Sequence, residues 1–114
     1  MAKDIKTNRK KHMKKFTLYL GLNDKDSKVQ EVSTIEAYKM AQNILKAHNA
    51  DNTIFEAQGM YTHEDGTLVI ETTLRIELLF IDIETVKRIV STLKAVFNQE
   101  SVAVQMQTVE SVLM

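Results

Sequence analysis

Alternating apolar and polar positions mark the first ordered stretch of this chain. In residues 16–22, Phe16, Leu18, Leu20 and Leu22 interleave with Thr17, Tyr19 and Gly21. Side chains on a strand point to opposite faces in turn, so this period of two predicts a half-buried strand. A polar loop follows over residues 23–32. Ser33-Thr34-Ile35-Glu36 then forms a capping box, in which the Ser33 hydroxyl accepts from the amide three residues on and Glu36 reaches back. The predicted helix carries Ile35, Tyr38, Ala41, Ile44, Leu45 and His48 near one stripe, and residues 49–52 end it.

Residues 53–80 read as two long strands joined at Glu64-Asp65-Gly66. Asp-Gly between apolar runs is a strong hairpin signal, because Gly tolerates φ > 0 and Asp bonds its own backbone. Leu68, Ile70, Leu74, Ile76, Leu78 and Phe80 share one parity, which suits a core. Val69, Glu71, Thr73, Arg75, Glu77 and Leu79 share the other, which suits a more polar sheet face. Asp82 is a good N-cap for a second helix, whose stripe is Val86, Ile89, Val90, Leu93, Val96 and Phe97. After a break at residues 98–100, Val102, Val104, Met106 and Val109 suit a last strand. The order β-α-β-β-α-β is the ferredoxin-like α+β pattern. It predicts a four-stranded antiparallel sheet with both helices on one face and the other face open.

At 114 residues the chain is long enough for one real core. Its net charge of zero hides an asymmetry. Residues 1–15 hold seven basic groups against Asp4 alone, whereas the rest holds eight basic and fourteen acidic groups. The expected organisation is a basic arm, residues 1–15, before a single domain, residues 16–114. Such an arm either touches nucleic acid or another acidic surface, or is a solvated, disordered lead-in. It has no aromatic interleaving and no amphipathic period, which favours the lead-in. Met13 is also a plausible alternative start. The absence of cysteine excludes disulfides, thiolate metal sites and a cysteine nucleophile. No apolar run approaches the roughly 20 residues that span a membrane. A cytoplasmic location fits these features, and no membrane contact is expected.

Four motifs occur in order: Leu18-Tyr19-Leu20-Gly21, Glu56-Ala57-Gln58-Gly59-Met60-Tyr61, Asp65-Gly66-Thr67-Leu68-Val69 with Glu71, and Phe97-Asn98-Gln99-Glu100-Ser101-Val102. From residue 16 onward the chain resembles a bacterial domain-of-unknown-function family of small α+β proteins. The closing motif is the most specific of the four. The family's Glu-x-Ser-Lys after the hairpin is Glu71-Thr72-Thr73-Leu74 here, and the positive charge moves to Arg75. One residue along a strand is the opposite face. The resemblance implies the fold already inferred and brings no catalytic residue with it.

Candidate chemistry is sparse. His12, His48 and His63 lack a second ligand at i+3 or i+4, so no metal site is expected. There is no nucleophile elbow. Gly21, Gly59 and Gly66 are isolated, so no phosphate cradle and no cofactor are expected. Met40, Met60 and Met106 read as core filler. Tyr19, Glu71, Arg75 and Glu77 fall on the open face. They suit either a small polar site or cross-strand charge pairs contributing roughly 0.2–1 kcal/mol each. Val69, Leu79, Met60 or Phe55 would make that face partly apolar, and such a face invites a second copy or a protein partner. Gln99 and Glu100 suit either recognition or a helix-to-strand connection that caps backbone. RNA binding by the sheet is disfavoured by its acidic surroundings. The leading expectation is a non-catalytic accessory protein, homodimeric, acting through its open face, with a mobile element or phage as a source consistent with its size. The alternative is a small-molecule binder or cofactor-free enzyme of the dimeric α+β barrel type, with Tyr19, Glu71 and Arg75 orienting ligand.

Overall fold

The computed structural model describes residues 11–114. The element order is β1 (Lys11–Gly21), α1 (Thr34–Ala47), β2 (Asn52–Thr62), β3 (Leu68–Leu78), α2 (Ile83–Val96) and β4 (Ala103–Ser111). The strands form one antiparallel sheet in the order β2-β3-β1-β4. This is the expected ferredoxin-like arrangement.

The predicted local signals act as expected at three places. Ser33 Oγ accepts from the Glu36 amide, and Asp82 accepts from the Thr85 amide, so both helices start where their caps lie. At the hairpin, the Gly66 amide donates to the His63 carbonyl at 2.9 Å, and Asp65 Oδ1 accepts from the Thr67 amide at 2.9 Å. Gly66 has φ +88, a conformation that costs glycine little.

The core lies between the helices and one sheet face. Phe16, Leu18 and Leu20 of β1 pair across with Leu78, Ile76 and Leu74 of β3, and all six are at most 1% exposed. From α1 come Ala37, Ala41 and Leu45, and from α2 Val86, Ile89 and Leu93.

Several expectations are corrected. The strand begins at Lys11, so residues 11–15 of the expected disordered arm pair with residues 107–111 of β4. The remainder of that arm lies outside the described residues. The buried stripe of α1 is Ala37, Ala41 and Leu45, while Ile35 is 70% exposed. The stripe is rotated because small alanines let the helix approach closely, which the larger residues cannot. Leu68 and Ile70 have core parity but lie on the hairpin arm beyond the reach of the helices, and both are exposed. Met60 and Met106 are exposed rather than core filler, whereas Met40 packs against the core. Met60, opposite Ile70, also has the helix-side parity rather than the open-face one.

The register explains the elongated shape, 50 × 26 × 23 Å. β1 pairs with β3 only over Phe16–Gly21. The tip of the β2–β3 hairpin therefore projects past one end of β1. The start of β1 and the end of β4 project from the other.

Candidate functional site

On the helix-free face, the projecting hairpin and the loop after β1 enclose a cavity of about 670 Å³. Its floor is set by two glycines. A Cβ built on Gly21 would overlap the Glu71 carboxylate, and one on Gly59 would come within 2.8 Å of Thr73 Oγ1. Gly21 thus leaves the space in which the Glu71 side chain lies. Glu71 is 7% exposed although it faces away from the core.

Glu71 has a phenol partner. The Tyr61 hydroxyl donates to Glu71 Oε2 at 3.2 Å, and Tyr61 meets His63 edge-to-face with ring centroids 5.5 Å apart. Among the described residues, no cation forms an ion pair with Glu71. Burial pushes its carboxyl above the usual glutamate range; the Tyr61 hydrogen bond and the His63 field pull it partly back. Burial, reinforced by the neighbouring Glu71 charge, pushes the Tyr61 phenol up as well.

The opposite wall is the β1–α1 loop, fastened to the α2–β4 connection. Asn98, at φ +49, donates through Nδ2 to Asp24 Oδ2 and Asp26 Oδ2, both at 2.9 Å, and accepts from the Lys25 amide at 3.1 Å. Gln99 Nε2 donates to the Asn23 carbonyl at 2.7 Å and to the Phe97 carbonyl at 3.1 Å. Gln99 therefore ties backbone segments together, while Glu100 beside it is exposed and lines the cavity.

Tyr19, Glu71, Arg75 and Glu77 all lie on the open face, but they divide into two groups. Tyr19 and Glu71 line the cavity, and the Tyr19 hydroxyl donates to Gln105 Oε1 at 3.0 Å. Arg75 and Glu77 do not line it. Arg75 pairs with Glu77 at 2.9 Å, lies over the Phe55 ring at 5.4 Å, and shares Glu77 with Lys15 at 3.1 Å. The expected Tyr19–Glu71–Arg75 constellation is therefore not assembled, because Arg75 is four residues from Glu71 along β3 and is held by its own partners. Residues missed from the sequence are Gly21, Tyr61, His63, Lys25 and Lys28. The two strand glycines were the available signal, since both fall on the open face beside Glu71 and Thr73.

Among the described residues no group of three or more histidine, aspartate or glutamate side chains is placed to hold a metal, and no helix is long and apolar enough to cross a membrane.

The architecture is that of the ferredoxin-like proteins. No family model matches the chain, and no curated protein matches it. Solved structures do. A phage SAM lyase in complex with S-methyl-5'-thioadenosine is 22% identical, with a TM-score of 0.65, covering 89% of this chain and 90% of the lyase. CutA from Synechococcus elongatus is 14% identical with a TM-score of 0.60, covering 92% and 87%. CPII from Thiomonas intermedia, bound to ADP, AMP and acetate, is 14% identical with a TM-score of 0.54, covering 90% and 91%. These likenesses establish the shared fold. The likeness to an enzyme over nearly the whole of both chains also overturns the leading expectation of a non-catalytic accessory protein.

Proposed function

We propose that this chain is a lyase acting on a sulfonium nucleoside of the SAM type, with the Glu71–Tyr61 cavity as its substrate site. The observation that carries this reading is the buried Glu71 carboxylate without a cationic partner among the described residues. An ionised carboxylate in such a place is costly unless a positive charge comes to it. A sulfonium supplies that charge permanently, because it has no proton to lose. Its arrival holds Glu71 ionised, against the upward push of burial. The cavity volume suits a nucleoside-sized ligand. The likeness to the SAM lyase complex supports the same ligand class.

Release of S-methyl-5'-thioadenosine from SAM breaks the bond between sulfur and the amino-acid side chain. Both electrons return to sulfur, which becomes a neutral thioether. The carbon left behind is satisfied from within its own fragment, by its carboxylate oxygen closing a ring or by loss of a proton to form an alkene. Neither route consumes water or a redox partner. Glu71 attracts the charged substrate and loses that attraction when sulfur is neutralised, which favours product release. The partly apolar open face, with Phe55 42% exposed, supports a homo-oligomeric working form in which a second copy covers it.

The test is chromatographic detection of S-methyl-5'-thioadenosine after incubation with SAM. The wild-type chain releases it. Glu71→Gln lowers kcat/KM by about 10²-fold, mainly through KM, as expected for loss of a desolvated charge partner. Absence of any release by the wild type sinks the reading.

A further inference from the structure

We propose that Lys25 and Lys28 form a cationic lip that reads the carboxylate of the amino-acid end of the substrate, a deepening that rests on the lyase reading above. Both lysines line the cavity on the wall opposite the hairpin. Both are exposed, and neither ammonium group forms an ion pair among the described residues.

The loop that carries them is rigidly built. Asp24 Oδ1 accepts from the Asp26 amide at 2.8 Å and the Ser27 amide at 3.0 Å. The Lys28 amide donates to the Asp24 carbonyl at 2.9 Å, and the Asp24 amide donates to the Val29 carbonyl at 2.8 Å. Asn98, on the adjoining α2–β4 connection, clamps Asp24 and Asp26. Lys28 is held at φ +67, where a long unbranched side chain is uncommon.

Charge is divided across the site in a way that fits one kind of ligand. Glu71 lies at the buried side, without a cationic partner among the described residues. Lys25 and Lys28 lie at the exposed rim. Of the acidic groups lining the rim, Asp24 is hydrogen-bonded to Asn98 and its own loop but stays ionised and lies in the field of Lys25, and Glu100 is exposed, so the two carboxylates offset the lysines in part. A ligand with a fixed positive charge inside and a carboxylate outside matches this order of charges. An adenosyl sulfonium with an intact amino-acid arm has that order, with an α-ammonium beside the carboxylate that the Asp24 and Glu100 carboxylates of the rim can offset, whereas S-methyl-5'-thioadenosine has none of these charges. The lip is thus placed to select the uncleaved molecule and to let the cleaved nucleoside go.

Two stable thioethers isolate the lip from Glu71. S-adenosylhomocysteine keeps the amino-acid arm but lacks the sulfonium, and S-methyl-5'-thioadenosine lacks both. Calorimetry on the full chain is expected to show S-adenosylhomocysteine bound about tenfold more tightly by wild type, the scale of one or two charge-assisted contacts. The variant Lys25→Gln/Lys28→Asn should lose that preference while binding S-methyl-5'-thioadenosine within about twofold of wild type. Asparagine is used at 28 because it tolerates the left-handed backbone. A preference that survives the double change overturns the lip. So does an equal loss for both ligands, which would mean a damaged cavity. Wild type that binds S-methyl-5'-thioadenosine without preferring the longer ligand also overturns the lip, yet leaves the lyase reading standing. Wild type that binds neither ligand and releases no product removes both.

Discussion

Two clusters of charge lie on the same open sheet face, and they are built in opposite ways. Around Arg75 every formal charge has a protein partner: Glu77 bridges Arg75 and Lys15, and Phe55 lies under the guanidinium. Around Glu71 the described residues supply a phenol, two glycines and burial, but no cation. The first arrangement pairs its charges, although the buried Arg75 Nε is left without a hydrogen-bond partner among the described residues, and it stabilises the sheet modestly. The second lacks a cation among the described residues, and its cost is relieved when Glu71 takes a proton or, on the proposed lyase reading, when a cationic ligand binds. Parity on a strand shows which residues share a face, but uncompensated burial shows where that face has work to do.

The most severe way to break this contrast is to fill the space beneath Glu71. In Gly21→Ala the new methyl and the Glu71 carboxylate cannot both stay in place. Either the carboxylate is expelled from the cavity or β1 shifts against β3. Release of S-methyl-5'-thioadenosine from SAM should fall at least about 10²-fold, matching loss of the carboxylate. Overpacking should also cost about 1–3 kcal/mol of stability, read by denaturant unfolding. A fully active Gly21→Ala chain would show that the position of Glu71 does not matter.

This site also marks the limit of what the sequence makes legible. The caps at Ser33 and Asp82 and the Asp65-Gly66 turn are local, so a few neighbouring residues specify them. The face of Glu71 is nearly as legible, because it follows from the parity of β3. Its burial is not, since that depends on Gly21, fifty residues earlier and brought alongside by the β1–β3 register. The loop of Lys25 and Lys28 reads as a solvated connection because its anchor, Asn98, is more than seventy residues away. The α1 stripe was misplaced for a related reason. Ala37 and Ala41 are too small to signal a core by hydrophobicity, yet their smallness is what lets the helix pack closely.

A gentler change separates charge from shape. The Glu71 carboxyl ionises near 4.5 in an ordinary setting and higher in the folded chain. Between those two values the folded state holds a proton that the unfolded state has lost. Stability therefore falls as pH rises through that window, and the penalty is complete above the folded value. Glu71→Gln keeps the shape and removes the titration. Its melting temperature relative to wild type should rise as pH climbs above about 4.5 and level off once Glu71 is ionised in the folded state, even as its activity falls. Glu71→Gln that is less stable than wild type at every pH would mean that the carboxylate is a structural group, not one kept for a ligand.

The smallest effect should come from the completed cluster. Arg75→Ala removes one ion pair and the stacking over Phe55, and leaves Glu77 with Lys15. The pair is partly solvated, so thermal or denaturant unfolding should show a loss of about 0.2–1 kcal/mol. Arg75 does not line the cavity, so KM for SAM and the affinity for S-methyl-5'-thioadenosine should stay within about twofold of wild type. On the small-molecule alternative, the sequence groups Arg75 with Tyr19 and Glu71 as ligand-orienting residues and expects this change to abolish binding, whereas on the protein-binding reading it expects only a modest change in association or stability. The structure favours the modest effect, because four residues of strand and the contacts with Glu77 and Phe55 keep the guanidinium away from the cavity. A large loss of ligand binding in Arg75→Ala would bring the two clusters back into one site and remove the distinction between a finished charge network and an open one.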